Sequence, residues 1–299
     1  MPITLNSSFS DIAVAIRELN GKTTTYKPTE MAGAILKWKD PFYPFVLTTA
    51  PESVWSSGTD NDVLLMVQLA DAGDIDLTDY WSVGDTRSVS LSAMSATGVG
   101  ESHSAQIVEM VLMHANPDKY TYVTTPSSGR TKPYFIYGQK DCLAATGYMN
   151  SSNTNSGSWN SSKRKTWCDA VYRAAVPDFL KTITKQVSFK TGVKSTDNST
   201  NGASNQSCTG YFFLPAEKEI QTSRYYGTNN EASALKKWTY YTTSANRIKK
   251  LGTSGDASYW WLRSPSYANS SRFCLVNSSG GAGYTGASNA YGLAPHGCI

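Results

Sequence analysis

The chain has 299 residues, enough for one large domain or two smaller ones. Charged residues make up only 17% of it, where about a quarter is usual, and the net charge is +4 with no long basic run. That composition argues against a nucleic-acid partner, and no stretch is long and apolar enough to cross a bilayer as a helix, so neither nucleic acid nor membrane insertion is expected.

Residues 1–40 read as a separate helical module. Ser8 and Asp11 form a capping-box pattern, Ile12, Ile16 and Leu19 fall on one helical face, and Asn20-Gly21 ends the helix. A second helix starts near Pro28-Thr29-Glu30, with Met31, Ile35 and Trp38 along one side. Two such helices cannot bury enough surface alone, so the module is expected to self-associate or dock on a larger assembly. Met1 to Asn6 lacks a basic start followed by an apolar run, so no signal peptide is expected. Asp40-Pro41-Phe42-Tyr43-Pro44-Phe45 reads as a stiff linker into a second domain, residues 41–299.

In that second domain Thr59 is expected to cap a helix over Asp60–Ala72, with Val63, Met66, Val67 and Ala70 inward and Gly73 as the stop. Asp60-Asn61-Asp62 therefore reads as a helix N-terminus and not a calcium loop. Trp81-Ser82-Val83-Gly84-Asp85 turns into an alternating strand at Arg87–Leu91. Gln106–Met113 is apolar enough for a buried strand or a short helix, and periodicity alone leaves both open. A Ser/Asn/Gly-rich segment follows Tyr148, and Trp159 and Trp167 bracket it as a packed loop. Helices are expected at Lys165–Ala174, from Leu214-Pro215-Ala216 onward, and at Asn230–Trp238, where Ala232, Leu235 and Trp238 face in; a second polar loop spans Ser195–Ser207. The fold class is α+β with short strands and long ordered loops. Five cysteines without a C-x-x-C spacing read as reduced, mostly buried thiols.

The last forty residues differ in texture. Trp260-Trp261-Leu262-Arg263-Ser264-Pro265 opens a segment made largely of Ser, Asn, Tyr, Gly and Ala, which closes on the apolar end Ala294–Ile299. Phe273–Asn277 alternates as a strand, with Cys274 and Val276 on one face and Phe273, Leu275 and Asn277 on the other. Tyr and Trp supply stiff contact area, and Ser, Asn and Gly supply adaptable hydrogen bonds, which is the chemistry of antibody loops. Tyr259, Tyr267, Phe273, Tyr284 and Tyr291 are the expected anchors. Trp261 is expected in the core with Trp260 turned to the face, and Arg263 is expected to bond loop carbonyls as a structural arginine.

Several short motifs recur in this order in one family. They are Trp81–Asp85, Gly147–Asn150, Ser161–Cys168, Leu214–Ile220, Trp261–Pro265 and Tyr291–Pro295. With them, roughly residues 75–299 resemble C-type-lectin-like domains of the formylglycine-generating-enzyme subtype. Asp11–Arg17 and Lys27–Ala32 resemble helical modules of phage tail proteins. The resemblance implies a C-type-lectin-like fold behind a two-helix module, in a receptor-binding protein on a phage or prophage tail, hence a virion component made in the bacterial cytoplasm. Its implied partners are a host-surface protein or glycan and other tail proteins, with trimers common among such proteins.

Domains of this kind are also similar to the variable proteins of diversity-generating retroelements, in which adenine-directed mutagenesis rewrites a C-terminal ligand face. That implies a variable segment at about 258–291. Its implied ligand face is Ser258, Tyr259, Ser266, Tyr267, Asn269, Ser271, Arg272, Phe273, Leu275, Asn277, Ser279, Gly281, Gly283, Tyr284, Thr285, Ser288, Asn289 and Tyr291. No catalytic residue, cofactor or metal is expected. The alternatives are a thiol oxidase of the same fold, which needs two reactive cysteines such as Cys274 and Cys298, and a purely structural tail component.

Overall fold

The structure, a computed structural model, describes residues 47–95, 102–194 and 196–299. The expected N-terminal module and the Pro-rich linker lie outside the described residues. Helix α1 (Val54–Ser57) leads into α2 (Asp60–Ala72), whose ends follow the expected chemistry. Thr59 Oγ1 accepts from the Asp62 amide while the Asp62 carboxylate accepts from the Thr59 amide, and Gly73 closes the helix in the left-handed region at φ 90°. Asp62 also accepts from the amide and hydroxyl of Thr48, so one buried carboxylate ties the entering chain to the helix.

Five strands form one antiparallel sheet in the order β1 (Thr86–Leu91), β2 (Gln106–Ala115), β4 (Phe135–Gln139), β13 (His296–Cys298) and β7 (Phe212–Phe213). The ambiguous segment at 106–113 is thus a strand. Its long apolar run reflects a place inside the sheet, paired on both sides. The end of the chain inserts between β4 and β7, with Gly297 opposite both Tyr137 and Phe212. Around it pack Trp55, Trp81, Tyr137, Tyr172 and Phe212, ring against ring.

A second, three-stranded sheet joins β3 (Thr121–Tyr122), β5 (Val187–Thr191) and β6 (Gln206–Gly210). Strands β8 (Lys249–Lys250) and β9 (Ala257–Ser258) form a small ribbon. A third sheet holds β10 (Trp260–Pro265), β11 (Arg272–Val276) and β12 (Ala282–Gly286), with β11 in the middle.

The chain is therefore α+β, as expected. The expected 165–174 helix runs further: α3 (Lys163–Trp167), a π-helical turn at Cys168–Tyr172, and α4 (Arg173–Ala175), followed by α5 (Asp178–Ile183). The Leu214 segment gives α6 (Glu217–Ile220). The second polar loop gives its last residues, Gln206 and Ser207, to β6.

The helix expected at Asn230–Trp238 is shorter, and α7 covers Asn229–Ala234. Leu235 is extended beyond it, and the Trp238 amide donates to the Glu219 carbonyl while its ring packs on His296 and Tyr241. An extended chain reaches about twice as far per residue as a helix, so unwinding lets Trp238 reach the core. Ala232 is half-buried instead of inward.

Candidate binding face

The frame of the face is β10, all six of whose residues are buried. Trp261 Nε1 donates to the Gly147 carbonyl at 2.8 Å and Trp260 Nε1 to the Arg247 carbonyl at 2.9 Å. Both rings are enclosed, which corrects the expectation that Trp260 faces outward.

Arg263 has the structural role expected of it. Nη1 donates to the Leu214 carbonyl at 2.9 Å, and the guanidinium pairs with both Glu219 oxygens at 2.7 and 2.9 Å. Tyr120 donates to the same carboxylate at 2.5 Å. The pair is wholly buried, so losing either member would strand a charge in the core.

Loops at both ends of this sheet are closed by their own polar side chains. Buried Asn155, from the Ser/Asn/Gly-rich loop, donates through Nδ2 to the carbonyls of Asn269 and Arg272, both at 2.8 Å. Its amide donates to the Ser270 carbonyl at 2.7 Å. Asn269 Oδ1 accepts from the amide and hydroxyl of Ser271, and Asn277 Oδ1 accepts from Ser279 N, Ser279 Oγ and Gly281 N. Asn153 holds Ser288 in the same way, and Asn289 donates to Thr285 Oγ1. The local Asx-type bonds of Asn269 and Asn277 make ordered turns of Ser/Asn-rich sequence, and Asn153 and Asn155 tie the C-terminal loops to a segment distant in the chain.

Of the expected ligand residues, Tyr259, Ser279 and Asn289 are exposed. Ser258, Tyr267, Asn269, Ser271, Arg272, Asn277, Gly281, Gly283, Tyr284, Thr285, Ser288 and Tyr291 are half-buried. Ser266, Phe273 and Leu275 are buried, so their expected place on the surface is corrected. The reason is that β11 runs between β10 and β12 with both of its faces covered, so alternation there does not separate core from solvent. Gly283 is a packing requirement: a Cβ there would come within 2.7 Å of the Leu275 side chain. A Cβ at Gly281 would stand 2.9 Å from the Asn277 side chain that builds the turn.

The tyrosines also do not make one surface. Tyr284 lies opposite Cys274 in the register, whereas Trp261 lies opposite Leu275, on the other face of β11. Tyr291 packs edge-on against Trp261 and Tyr259, both at 5.5 Å. Tyr284 instead packs at 4.5 Å against Tyr226 and lies under the Arg272 guanidinium at 5.1 Å. Tyr267 lies under Arg224 at 5.1 Å, and its amide donates to the Tyr226 carbonyl.

The segment Arg224-Tyr225-Tyr226 thus completes the Tyr267/Tyr284 patch, and the sequence reading did not include it. Its signal was an Arg-Tyr-Tyr-Gly string with the same chemistry as the C-terminal segment, about thirty residues upstream of it. Buried Glu217 holds it in place. Glu217 Oε2 accepts from the amides of Tyr225 and Gly227, both at 2.9 Å, and Oε1 accepts from Tyr226 at 2.9 Å. Burial pushes this carboxyl up from its ordinary value, and the three amides pull against that shift. The Glu217 amide donates to Ser264 Oγ at 2.8 Å, which locks the clamp to β10.

All five cysteines are free and buried. Burial pushes the Cys142 thiol up to about 12 and Cys208 up to about 11, and it raises Cys168, Cys274 and Cys298 as well.

Residues 139–299, more than half of the chain, match a family model described as a domain of unknown function, DUF6273. The matched span begins in β4 and contains the whole frame and both tyrosine patches. No curated protein and no solved structure matches the chain.

Proposed function

We propose that this chain, which belongs to the DUF6273 family, is a ligand-binding protein that displays its binding face on a C-type-lectin-like scaffold at the receptor end of a phage or prophage tail. The observation that carries the binding assignment is the patch at Arg224, Tyr225, Tyr226, Tyr267, Arg272 and Tyr284. There, partly exposed rings and guanidinium groups are held by the buried Glu217 carboxylate, itself bonded to Ser264 of the buried strand β10. Stiff aromatic anchors on a rigid frame keep the ordering cost of binding low. The C-type-lectin-like assignment is supported by the ordered motifs and by the return of the chain end into the sheet of the earlier strands. The tail location rests on the likeness of the first forty residues, which would join the chain to other tail proteins and to copies of itself.

Two terminal segments of the face are compatible with diversification: the loop at 266–271, apart from buried Ser266, and the outward positions of β12. Gly281 and Gly283 are not, since their neighbours occupy the space of a side chain. A near-copy of the last coding segment differing at adenines, beside a reverse transcriptase gene, is the observation that would establish active diversification. We read the chain as a binder and not a thiol oxidase, because each thiol is buried and held protonated.

The test is binding of the fluorescently labelled full chain to a panel of intact bacteria. The double variant Tyr267→Ala/Tyr284→Ala should melt within a few degrees of the parent and lose cell binding. Retained binding in a folded double variant would remove this face from the reading.

A further inference from the structure

We propose that the Arg224/Tyr226/Tyr267/Tyr284/Arg272 patch takes an acidic saccharide, with its sugar ring on the tyrosines and its acid group on the arginines. This rests on the binding reading above and goes on to name the ligand chemistry.

The patch alternates cations and rings. Arg224 covers Tyr267, Tyr226 meets Tyr284 at 4.5 Å, and Arg272 covers Tyr284. The two rings meet with their planes tilted by 45°, so each braces the other, and their outer edges and remaining faces are what the C–H side of a pyranose ring can pack against. Among the described residues Arg87, Arg130 and Arg263 are each paired with an acid, whereas no salt bridge uses Arg224 or Arg272. Glu217 lies close enough to Arg224 to feel its charge, but its oxygens are taken by the amides of Tyr225, Tyr226 and Gly227. Arg224 Nη1 leans on the carbonyls of Tyr225 and Gly227 at 3.4 and 3.2 Å, which orients the fork without neutralising it. A planar guanidinium held over an aromatic face matches a carboxylate bidentately.

Other acidic partners fit less well. A single-stranded nucleic acid also stacks on rings, but it needs a groove of cations tracking its backbone, and this chain carries its +4 as scattered charges. A peptide adding a strand would read the main chain of β12 and would be indifferent to the two arginines.

Calorimetric titration of the full chain tests the proposal. The probes are oligogalacturonate and polysialic acid as carboxylated sugars, carboxyl-reduced oligogalacturonate as the neutral control, and a sulfated oligosaccharide to distinguish the acid group. Poly-glutamate and oligo-dT stand for the other acidic polymers. We expect at least one carboxylated or sulfated sugar to bind, and the neutral control to bind about tenfold more weakly or worse. Arg272→Gln and Arg224→Gln should each weaken binding about tenfold, Arg272→Lys should recover part of the loss, and added salt should weaken the parent.

Equal binding of the reduced sugar, or full affinity in folded Arg272→Gln, overturns the acidic-sugar assignment while leaving a neutral-ligand face. Tighter binding of poly-glutamate or oligo-dT than of any sugar overturns it too, as does the failure of every acidic sugar to bind. Full affinity in Tyr284→Ala for whichever probe binds the parent sinks the face itself.

Discussion

Replacing Glu217 with Gln tests whether one buried carboxylate holds the Arg224–Gly227 loop against the sheet. Three amides converge on it at 2.9 Å, and the side chain is 2% exposed. Gln keeps the shape but has one acceptor oxygen. With that oxygen in the place of Oε2 it retains the Tyr225 and Gly227 amides and the longer 3.2 Å bond from Tyr226, while its NH2 takes the place of the oxygen that held Tyr226 at 2.9 Å. The shorter Tyr226 bond is lost, the three bonds to the remaining oxygen become neutral, and the new buried NH2 faces an amide donor. Bonds to charged groups are worth about 1.5–3 kcal/mol each, so the net cost should be about 2–3 kcal/mol. Denaturant unfolding measures that cost. Amide hydrogen exchange over 222–228 should accelerate by about tenfold or more, with β10 and β11 still protected. Glu217→Ala should cost more. If Glu217→Gln is as stable as the parent and its 225–227 amides exchange no faster, the carboxylate is not what positions this part of the face.

Three further outcomes follow from the packing. Gly138→Ala in β4 should destabilise by about 3 kcal/mol in the same unfolding measurement, because the new Cβ would overlap the buried His296 ring, which Trp238 and Tyr241 already confine. Acid should destabilise the fold between pH 6.5 and 4. Burial, and then the Arg164 charge, hold His103 down to about 4 from an ordinary 6.5, and burial also holds His296 down. A depressed histidine contributes stability that is complete above pH 6.5 and is lost as pH falls through its folded value. His103 alone should contribute a drop of about 3 kcal/mol across that window, opposed in part by the raised carboxyls of Glu217 and Glu231, and the His103→Phe variant should show a shallower one. A disulfide-exchange reagent at pH 8 should label none of the five thiols within minutes in buffer and all five in denaturant, whereas a fast pair in the folded chain would revive thiol chemistry.

The local rules carried far along this chain. Thr59, Asp62 and Gly73 specify α2 because capping is decided within a few residues of the helix end. The polar loop between Tyr148 and Trp159 is ordered because Asn150 bonds its own neighbourhood at Thr154, and Asn155 then reaches the carbonyls of Asn269 and Arg272. Arg263 was recognisable as structural because it sits inside a buried strand motif. The α+β class was legible for the same reason: element type follows periodicity.

Position on the surface was not legible in this way. Whether Phe273 and Leu275 point to solvent depends on what covers the second face of β11, and that cover comes from segments far away in sequence. The same holds for the extended arm that takes Trp238 into the core. By itself the sequence determined most helix, strand and turn segments, though not the strand at Gln106–Ala115 or the early end of α7, and where the tyrosines and glycines concentrate. Only the tertiary structure decided that Tyr284 and Tyr291 sit on opposite faces, and that Arg224 and Tyr226 join one of them. Facing and neighbourhood are long-range properties, set by which strands pair and what packs over them, and no local pattern encodes either.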